Sequence, residues 1–166
     1  MNQVQTNPKS QDGKAFTARN TFNRETSVSI PISADPAIVW ALLTHASDFP
    51  RWNSTVTSIK GEIKPGGTIE LKSTLDQKRT FKLKVKEFVL EKRLVWGDAT
   101  GSRVYTIGKG AGGGVIFTML ENIGGPLFPL FAKYIPPFDE SFEKFAADLK
   151  KEAEAIQDSK NSLKEN

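Results

Sequence analysis

The last apolar run of the chain, residues 138–156, has the spacing of an amphipathic helix. Its apolar side chains recur at steps of three and four residues: Phe138, Phe142, Phe145, Leu149, Ala153 and Ile156. This spacing places them on one stripe of an α-helix, and the residues between them are mostly charged. Each phenylalanine ring buries roughly 150–250 Å² when packed, at about 25 cal/mol per Å². The pattern therefore predicts a helix that lies on a broad apolar surface.

Upstream of this helix the apolar residues recur with a period of two, which is typical of strands with one wet face. The clearest example is Phe81, Leu83 and Val85, which alternate with three lysines, Lys82, Lys84 and Lys86. Thr26, Val28 and Ile30 form a similar first strand. Five more strands are predicted at Val56–Lys60, Thr68–Thr74, Arg93–Gly97, Arg103–Ile107 and Val115–Asn122. Turns are predicted at Lys64–Gly67, Asp76–Lys78 and Asp98–Gly101, and these short connections indicate antiparallel hairpins.

Two short helical segments are predicted after the first strand. Ser33-Ala34-Asp35-Pro36 has the residues that begin a helix, which we expect to end near Thr44 or His45. Residues 47–50 predict a second helical turn, stopped by Pro50. In the apolar connection 124–137, one or two further turns are expected between Leu127 and Ile135, ended by the paired prolines that follow.

This order of elements predicts an α+β fold in which one curved antiparallel sheet wraps around the long C-terminal helix. We expect residues 1–22 to be a flexible N-terminal tail, residues 23–157 a single domain and residues 158–166 a polar C-terminal tail. A sheet that grips one helix, with bulky aromatic residues on both surfaces, is typical of folds that leave a gap for an apolar ligand.

Composition narrows the classes of function. The chain has 166 residues and a net charge of +4 spread along the sequence, which argues against a nucleic-acid-binding face. It has no cysteine and one histidine, so thiolate chemistry, a multi-histidine metal site and a Ser-His-Asp triad built on a second histidine are excluded. We expect no cofactor and no metal.

The sequence also predicts where the chain works. No apolar run approaches the roughly 20 residues of a membrane span, and the N-terminus lacks the apolar core of a signal peptide. We therefore expect a cytoplasmic protein without stable membrane insertion, present as a monomer or weak homodimer.

A glycine-rich segment, Gly108–Gly113, matches the letters of the dinucleotide-binding fingerprint G-x-G-x-x-G. That fingerprint needs a helix to follow it, so that the helix N-terminus meets the pyrophosphate. Here Val115–Met119 follows, and its pattern is that of a strand. A hairpin loop is therefore predicted instead.

Residues 24–156 resemble the START-like helix-grip superfamily, and within it the bacterial polyketide cyclase/dehydrase-like group of SRPBCC proteins. The resemblance rests on five strings in this order: Val28–Ala34, Val39–Thr44, Phe49–Trp52, Gly61 with Pro65–Gly67, and Leu149–Glu154. It implies a hydrophobic cavity between the sheet and the long helix, in a family that includes lipid carriers, polyketide aromatase/cyclases and chaperone co-factors. The chain departs from the commonest pattern at His45, and its glycine-rich loop lacks the usual Gly-Thr. Neither departure helps to choose a ligand.

The residues expected to line this cavity are large and mostly aromatic: Trp52, Leu71, Phe81, Trp96, Tyr105, Phe117, Met119, Phe131, Tyr134, Phe138, Phe142 and Phe145. The alternative for each is an ordinary core position. Arg103 shares the strand parity of Tyr105, so either side chain orients a polar ligand end if their common face points inward. The sequence does not decide which face points inward. His45 is a third candidate for chemistry, against the alternative of a surface residue at a helix end.

Binding of a small hydrophobic or amphipathic ligand, lipid-like or polyketide-like, is the favoured hypothesis, because aromatic residues are many and inward-facing ionisable groups are few. Two alternatives stay open. One is a cyclase or dehydratase acting on an aromatic or enolisable substrate, with Tyr105, Arg103 or His45 as weak candidates for proton or charge partners. The other is an interaction domain resembling the chaperone activators. The apolar segment 124–137 fits a lid, a packing segment or a partner-binding patch.

Overall fold

The computed structural model describes residues 10–166, and one eight-stranded antiparallel sheet forms the body of this part of the chain. The strands are β1 Phe16–Arg19, β2 Asn23–Ile32, β3 Val56–Gly61, β4 Thr68–Ser73, β5 Asp76–Val89, β6 Arg93–Gly97, β7 Gly101–Lys109 and β8 Val115–Gly124. The helices are α1 Pro36–Thr44, α2 Phe49–Trp52, α3 Phe128–Phe131 and α4 Asp139–Lys164. Single 3₁₀ turns precede α2, follow α3 and lie between β7 and β8.

Consecutive hairpins build most of the sheet, whose order is β1-β2-β8-β7-β6-β5-β4-β3. From β3 to β8 each strand pairs with the next along the chain, and β2 closes the other side by pairing with β8. Register shifts interrupt the β3–β4, β4–β5 and β5–β6 pairings. Such bulges bend and twist a sheet, which is how its concave face curves around a helix.

The predicted C-terminal helix is confirmed as α4. Its apolar stripe is buried on the concave face, where the helix packs chiefly on β2 and on α1. The buried residues are Phe142, Phe145, Ala146, Leu149 and Ala153. The predicted α+β fold, a curved antiparallel sheet around a terminal helix, is therefore confirmed. Of residues 10–166, no helix combines the length and apolar character needed to cross a membrane.

The N-terminal tail prediction is wrong for residues 16–19, which form the edge strand β1 and pair with β2. An Asx turn connects the two strands, because the Asn20 side-chain oxygen accepts hydrogen bonds from the backbone N–H groups of Phe22 and Asn23. Phe16 is the only large apolar residue of β1, so the strand lacks the alternating apolar pattern from which it could have been predicted. Residues 1–9 of the predicted tail lie outside the described residues.

Three other boundaries differ from prediction. Residues 76–78 belong to β5 rather than to a turn, because Ser73 pairs with Asp76 and only two residues connect β4 to β5. Pro50 lies in the first turn of α2 and does not stop a helix. A backbone N–H at this position would have no partner within the helix, so proline loses no hydrogen bond there. At the C-terminus α4 continues to Lys164, through most of the segment predicted to be a tail.

Two predicted turns are confirmed. Gly66 has a φ of +69° at the third position of the Lys64–Gly67 turn, and the Gly67 N–H donates to the Lys64 carbonyl at 2.9 Å. The glycine-rich segment joins β7 to β8 as a hairpin loop. Because a strand and not a helix follows it, the loop lacks the geometry of a dinucleotide-binding turn.

Candidate ligand-binding site

A cavity of about 360 Å³ lies between the sheet and the N-terminal end of α4. This volume falls within the usual range of small-molecule sites, about 300–1,000 Å³. The sheet supplies one side, the segment 131–136 before α4 a second, and the first turn of α4 a third. The large apolar lining residues are Val56, Leu71, Leu75, Phe81, Leu83, Trp96, Ile123, Phe131, Ile135 and Phe138.

An ion pair is built into the sheet side of the cavity. Arg103 on β7 faces Trp96 on β6 and Glu121 on β8 as direct cross-strand neighbours. Its Nε and Nη2 groups donate to Oε2 of Glu121, and each of the two side chains is 17% exposed. The guanidinium carbon also lies 5.2 Å from the centre of the Phe142 ring on α4. Sheet and helix therefore hold Arg103 in place from two sides.

The adjacent Glu121 carboxylate stabilises the positive charge of Arg103. Burial by itself would lower the pKa of Arg103, but the adjacent Glu121 carboxylate outweighs it and raises that pKa overall. Arg103 lines the cavity and Tyr105 is buried beside it, so the face of β7 that carries both residues points inward. The sequence alone left the direction of this face undecided.

Tyr105 lies behind Arg103, two residues further along the same face of β7. It is 1% exposed and packs between the rings of Trp96, Phe117 and Phe145. Its hydroxyl makes no well-formed hydrogen bond to any described residue. Burial raises the pKa of Tyr105 to about 12, against a lowering effect of the nearby Arg103 charge. The phenol is therefore neutral at physiological pH and does not line the cavity.

The wall between β8 and α4 is anchored at both ends. Phe128, at the start of α3, is 1% exposed and meets Phe131 edge to face with ring centres 5.6 Å apart. At the other end Arg24 donates to the carbonyl oxygens of Ile135 at 3.3 Å and Pro136 at 2.9 Å. The buried Phe128 ring and the Arg24 hydrogen bonds therefore attach the two ends of the segment to the rest of the domain.

Charged groups at the rim are largely used by their own turns. Asp98 accepts hydrogen bonds from the Thr100 hydroxyl at 2.7 Å and from the Thr100 and Gly101 N–H groups. Burial alone would raise the pKa of Asp98, but these hydrogen bonds bring it below its usual value. Arg79 is exposed and lies over the Phe81 ring, 4.6 Å from its centre. Asp76 is exposed as well.

Half of the residues expected to line the cavity do so: Leu71, Phe81, Trp96, Phe131, Tyr134 and Phe138. The structure places the other six in the packed interior beside it: Trp52, Tyr105, Phe117, Met119, Phe142 and Phe145. Of the three candidates for chemistry, Arg103 lines the cavity and Tyr105 lies beneath its surface. His45 is exposed at the C-terminal end of α1 and does not reach the cavity.

Glu121, which lines the cavity and pairs with Arg103, is a charged residue that the sequence analysis did not single out. Its parity was the available signal, because it shares the strand face of Val115, Phe117 and Met119, all of them buried. An acidic residue in such a series is either at the end of the strand or paired inside. The rim residues Leu75 and Asp98 gave no such signal, since each lies in or next to a turn.

Within residues 10–166 no three His, Cys, Asp or Glu side chains gather closely enough to hold a metal ion.

Comparison with known proteins gives a family and a fold. The sequence model of the family described as polyketide cyclase/dehydrase and lipid transport matches residues 23–154. No curated protein matches the chain in sequence.

Three solved structures illustrate the structural likeness. A conserved protein of unknown function from Enterococcus faecalis is 16% identical, with a TM-score of 0.62 over 84% of this chain and 77% of that one. A START superfamily protein from Mycobacterium smegmatis is 12% identical, with a TM-score of 0.59 over 80% and 98%. A norcoclaurine synthase point mutant from Thalictrum flavum, in complex with a transition-state analogue, is 9% identical, with a TM-score of 0.60 over 82% and 97%. At these identities the likeness shows the fold alone.

Proposed function

The chain belongs to the family of polyketide cyclase/dehydrase and lipid transport proteins, and from this premise we propose that it binds a small hydrophobic or amphipathic molecule, lipid-like or polyketide-like. The binding site is the cavity at the N-terminal end of α4. The observation that carries the proposal is the cavity itself, about 360 Å³ in volume and walled by apolar side chains from three directions.

The shape of the wall supports an apolar guest. Leu71 and Phe81 project from the sheet, Phe131 from the anchored segment and Phe138 from the start of α4. A guest that covers these surfaces removes apolar area from water at about 25 cal/mol per Å². Because Arg24 and Phe128 already attach the ends of the anchored segment to the rest of the domain, little conformational entropy is lost when the guest binds.

Binding without chemistry is favoured over the cyclase or dehydratase alternative. Of the three candidate catalytic groups only Arg103 reaches the cavity, and a guanidinium does not give up its proton in proteins. Tyr105 is enclosed by other rings, and His45 lies elsewhere. An ion-paired arginine positions a ligand, but it is a poor general acid or base.

Contact quenching of tryptophan fluorescence tests the proposal. Trp96 lines the cavity, whereas Trp40 packs against Phe88 and does not. Titration with bromobenzene, a small apolar heavy-atom quencher, should give saturable quenching in the wild type and in Trp40→Phe. The saturable part should disappear in Trp96→Phe.

Two results would overturn the proposal. One is quenching that rises linearly to the solubility limit without saturation. The other is saturable quenching of equal size in Trp96→Phe, which would place the bound molecule elsewhere. Circular dichroism of each variant checks that its fold is retained, and native mass spectrometry of the purified wild type tests directly for a retained ligand.

A further inference from the structure

The charges that line the cavity restrict the kind of polar end that a ligand carries; this step rests on the proposed function. Five lining residues have acidic or basic side chains: Asp76, Arg79, Asp98, Arg103 and Glu121. Asp76 and Arg79 are exposed at the rim, have opposite signs and are screened by water. The partly buried charges are therefore one positive and two negative.

Among the partly buried lining residues, the negative charges of Asp98 and Glu121 leave no uncompensated positive charge for an anion. Arg103 is the partly buried cation of the lining, and Glu121 already engages the Nε and Nη2 edge of its guanidinium. A carboxylate brought to the remaining edge would lose its hydration and would lie close to the negative charge of Glu121. Taking an ion out of water is unfavourable unless an opposite charge compensates it.

An uncharged hydrogen-bond acceptor can bind to the Arg103 guanidinium without the desolvation cost of an anion. Arg103 has five N–H donors in a fixed plane. Glu121 accepts from Nε and Nη2, and the Tyr105 hydroxyl lies close enough to interact with the guanidinium, which still leaves donors for a ligand on the edge away from Glu121. A carbonyl oxygen that accepts from the other edge receives a charge-assisted hydrogen bond, yet it brings no charge of its own to be desolvated. Phe142 holds the guanidinium plane from the helix side, so the donor is already oriented.

We propose that the cavity selects apolar molecules whose polar end is an uncharged hydrogen-bond acceptor, such as a ketone or ester carbonyl, and rejects the corresponding carboxylates. Arg103 donates the hydrogen bond to the carbonyl oxygen of the ligand. Glu121 is the specificity-determining residue, because its charge cancels the attraction that Arg103 would otherwise have for an anion.

The test uses three probes with one body and different ends: naphthalene, 2-acetylnaphthalene and 2-naphthoate, titrated at neutral pH. In the wild type 2-acetylnaphthalene should bind at least tenfold more tightly than 2-naphthoate and severalfold more tightly than naphthalene. In Glu121→Gln, which keeps the size of the side chain and removes its charge, 2-naphthoate should gain at least tenfold. In Arg103→Met the advantage of the ketone over naphthalene should disappear.

The outcomes separate this inference from the proposed function. If naphthalene binds but the wild type takes 2-naphthoate as tightly as 2-acetylnaphthalene, the selection is wrong and the cavity remains a binding site. If Glu121→Gln folds and leaves the ratio of the two affinities unchanged, Glu121 is not the determinant. If none of the three probes binds, both proposals fail. The wild-type ratio decides the matter even if a variant does not fold.

Discussion

The interface between α4 and the sheet has two halves that differ in how they are filled. Around the middle of the helix, Phe145 lies 5.6–6.3 Å, centre to centre, from four other rings: Phe49, Trp52, Tyr105 and Phe117. At the N-terminal end, Phe138 and Phe142 stack on each other at 5.9 Å instead, and the cavity opens beside them. The same helix and the same concave face therefore give a solid core at one end and a binding site at the other.

The change from solid core to cavity coincides with a change of residue type between neighbouring pairs on β7 and β8. Tyr105 on β7 lies opposite Met119 on β8 in the solid half, and two residues further along the same faces Arg103 lies opposite Glu121. Tyr105 and Met119 are each 1% exposed, whereas the ion pair is 17% exposed. Aromatic and thioether side chains can close-pack without hydrogen-bond partners, whereas a charged pair is stabilised by polar neighbours and water. The interior therefore stays open where the pair begins.

The sharpest way to break the comparison is to remove the centre of the solid half. Phe145→Ala should lower the free energy of unfolding by about 3–5 kcal/mol, since it leaves a void among rings that cannot collapse. Phe131→Ala, in the partly exposed wall of the open half, should cost only about 1–2 kcal/mol. Urea denaturation measures both losses, and equal losses would mean that the two halves are packed alike.

Filling each half tests where space exists. Ile69 and Leu71 lie on the same face of β4, but only Leu71 lines the cavity. Ile69→Phe overpacks a residue that is fully buried and should cost about 1–3 kcal/mol, whereas Leu71→Phe extends into empty volume and should cost less than about 1 kcal/mol.

Affinity for the apolar probe gives the second readout of this pair. Leu71→Phe should weaken binding of bromobenzene at least tenfold because the new ring occupies its place, while Ile69→Phe should leave the affinity nearly unchanged. Similar destabilisation in the two variants, or retained binding in Leu71→Phe, would contradict the position assigned to the cavity.

The smallest effect is expected at the boundary between the halves. Tyr105→Phe removes a buried hydroxyl that makes no well-formed hydrogen bond to any described residue, so at neutral pH it should change the free energy of unfolding by less than about 1 kcal/mol.

At high pH the same variant should separate from the wild type. The pKa of Tyr105 is about 12 in the folded chain against an ordinary value of 10.0, so between these values the unfolded chain loses the proton first. Stability of the wild type should therefore fall as pH rises through this window, and Tyr105→Phe should lack that part of the fall. Tyr134→Phe, whose ring is 74% exposed, serves as the matched control. Identical pH profiles for all three proteins would argue against a buried phenol.

Periodicity predicted the solid half of the molecule well. The stripe Phe142–Leu149–Ala153 and the alternation at Phe81–Val85 each reflect burial directly, because apolar side chains must leave water wherever the backbone puts them. For the same reason the sheet, the terminal helix and the contact between them could be predicted from the sequence.

The open half was harder to predict because a cavity wall and a core residue have the same chemistry. Phe117 and Phe138 are both phenylalanines on predicted apolar faces. Only the folded structure shows that Phe117 is enclosed by other rings and that Phe138 faces the cavity. The rim depends on turn positions such as Leu75 and Asp98, where a shift of one or two residues changes which side chain points inward. Edge strand β1 was missed because one large apolar residue is too weak a pattern.

Methyl NMR with a bound apolar probe tests the central claim most directly. With bromobenzene added to isotopically labelled protein, the account predicts chemical-shift changes concentrated at the lining methyl groups of Leu71, Leu83 and Ile123. The methyl groups of Ile69 and Leu149 in the solid interior should stay nearly unchanged. Shifts at the exposed Leu127 and Leu130 without shifts at the lining residues, or no shifts at all, would contradict it.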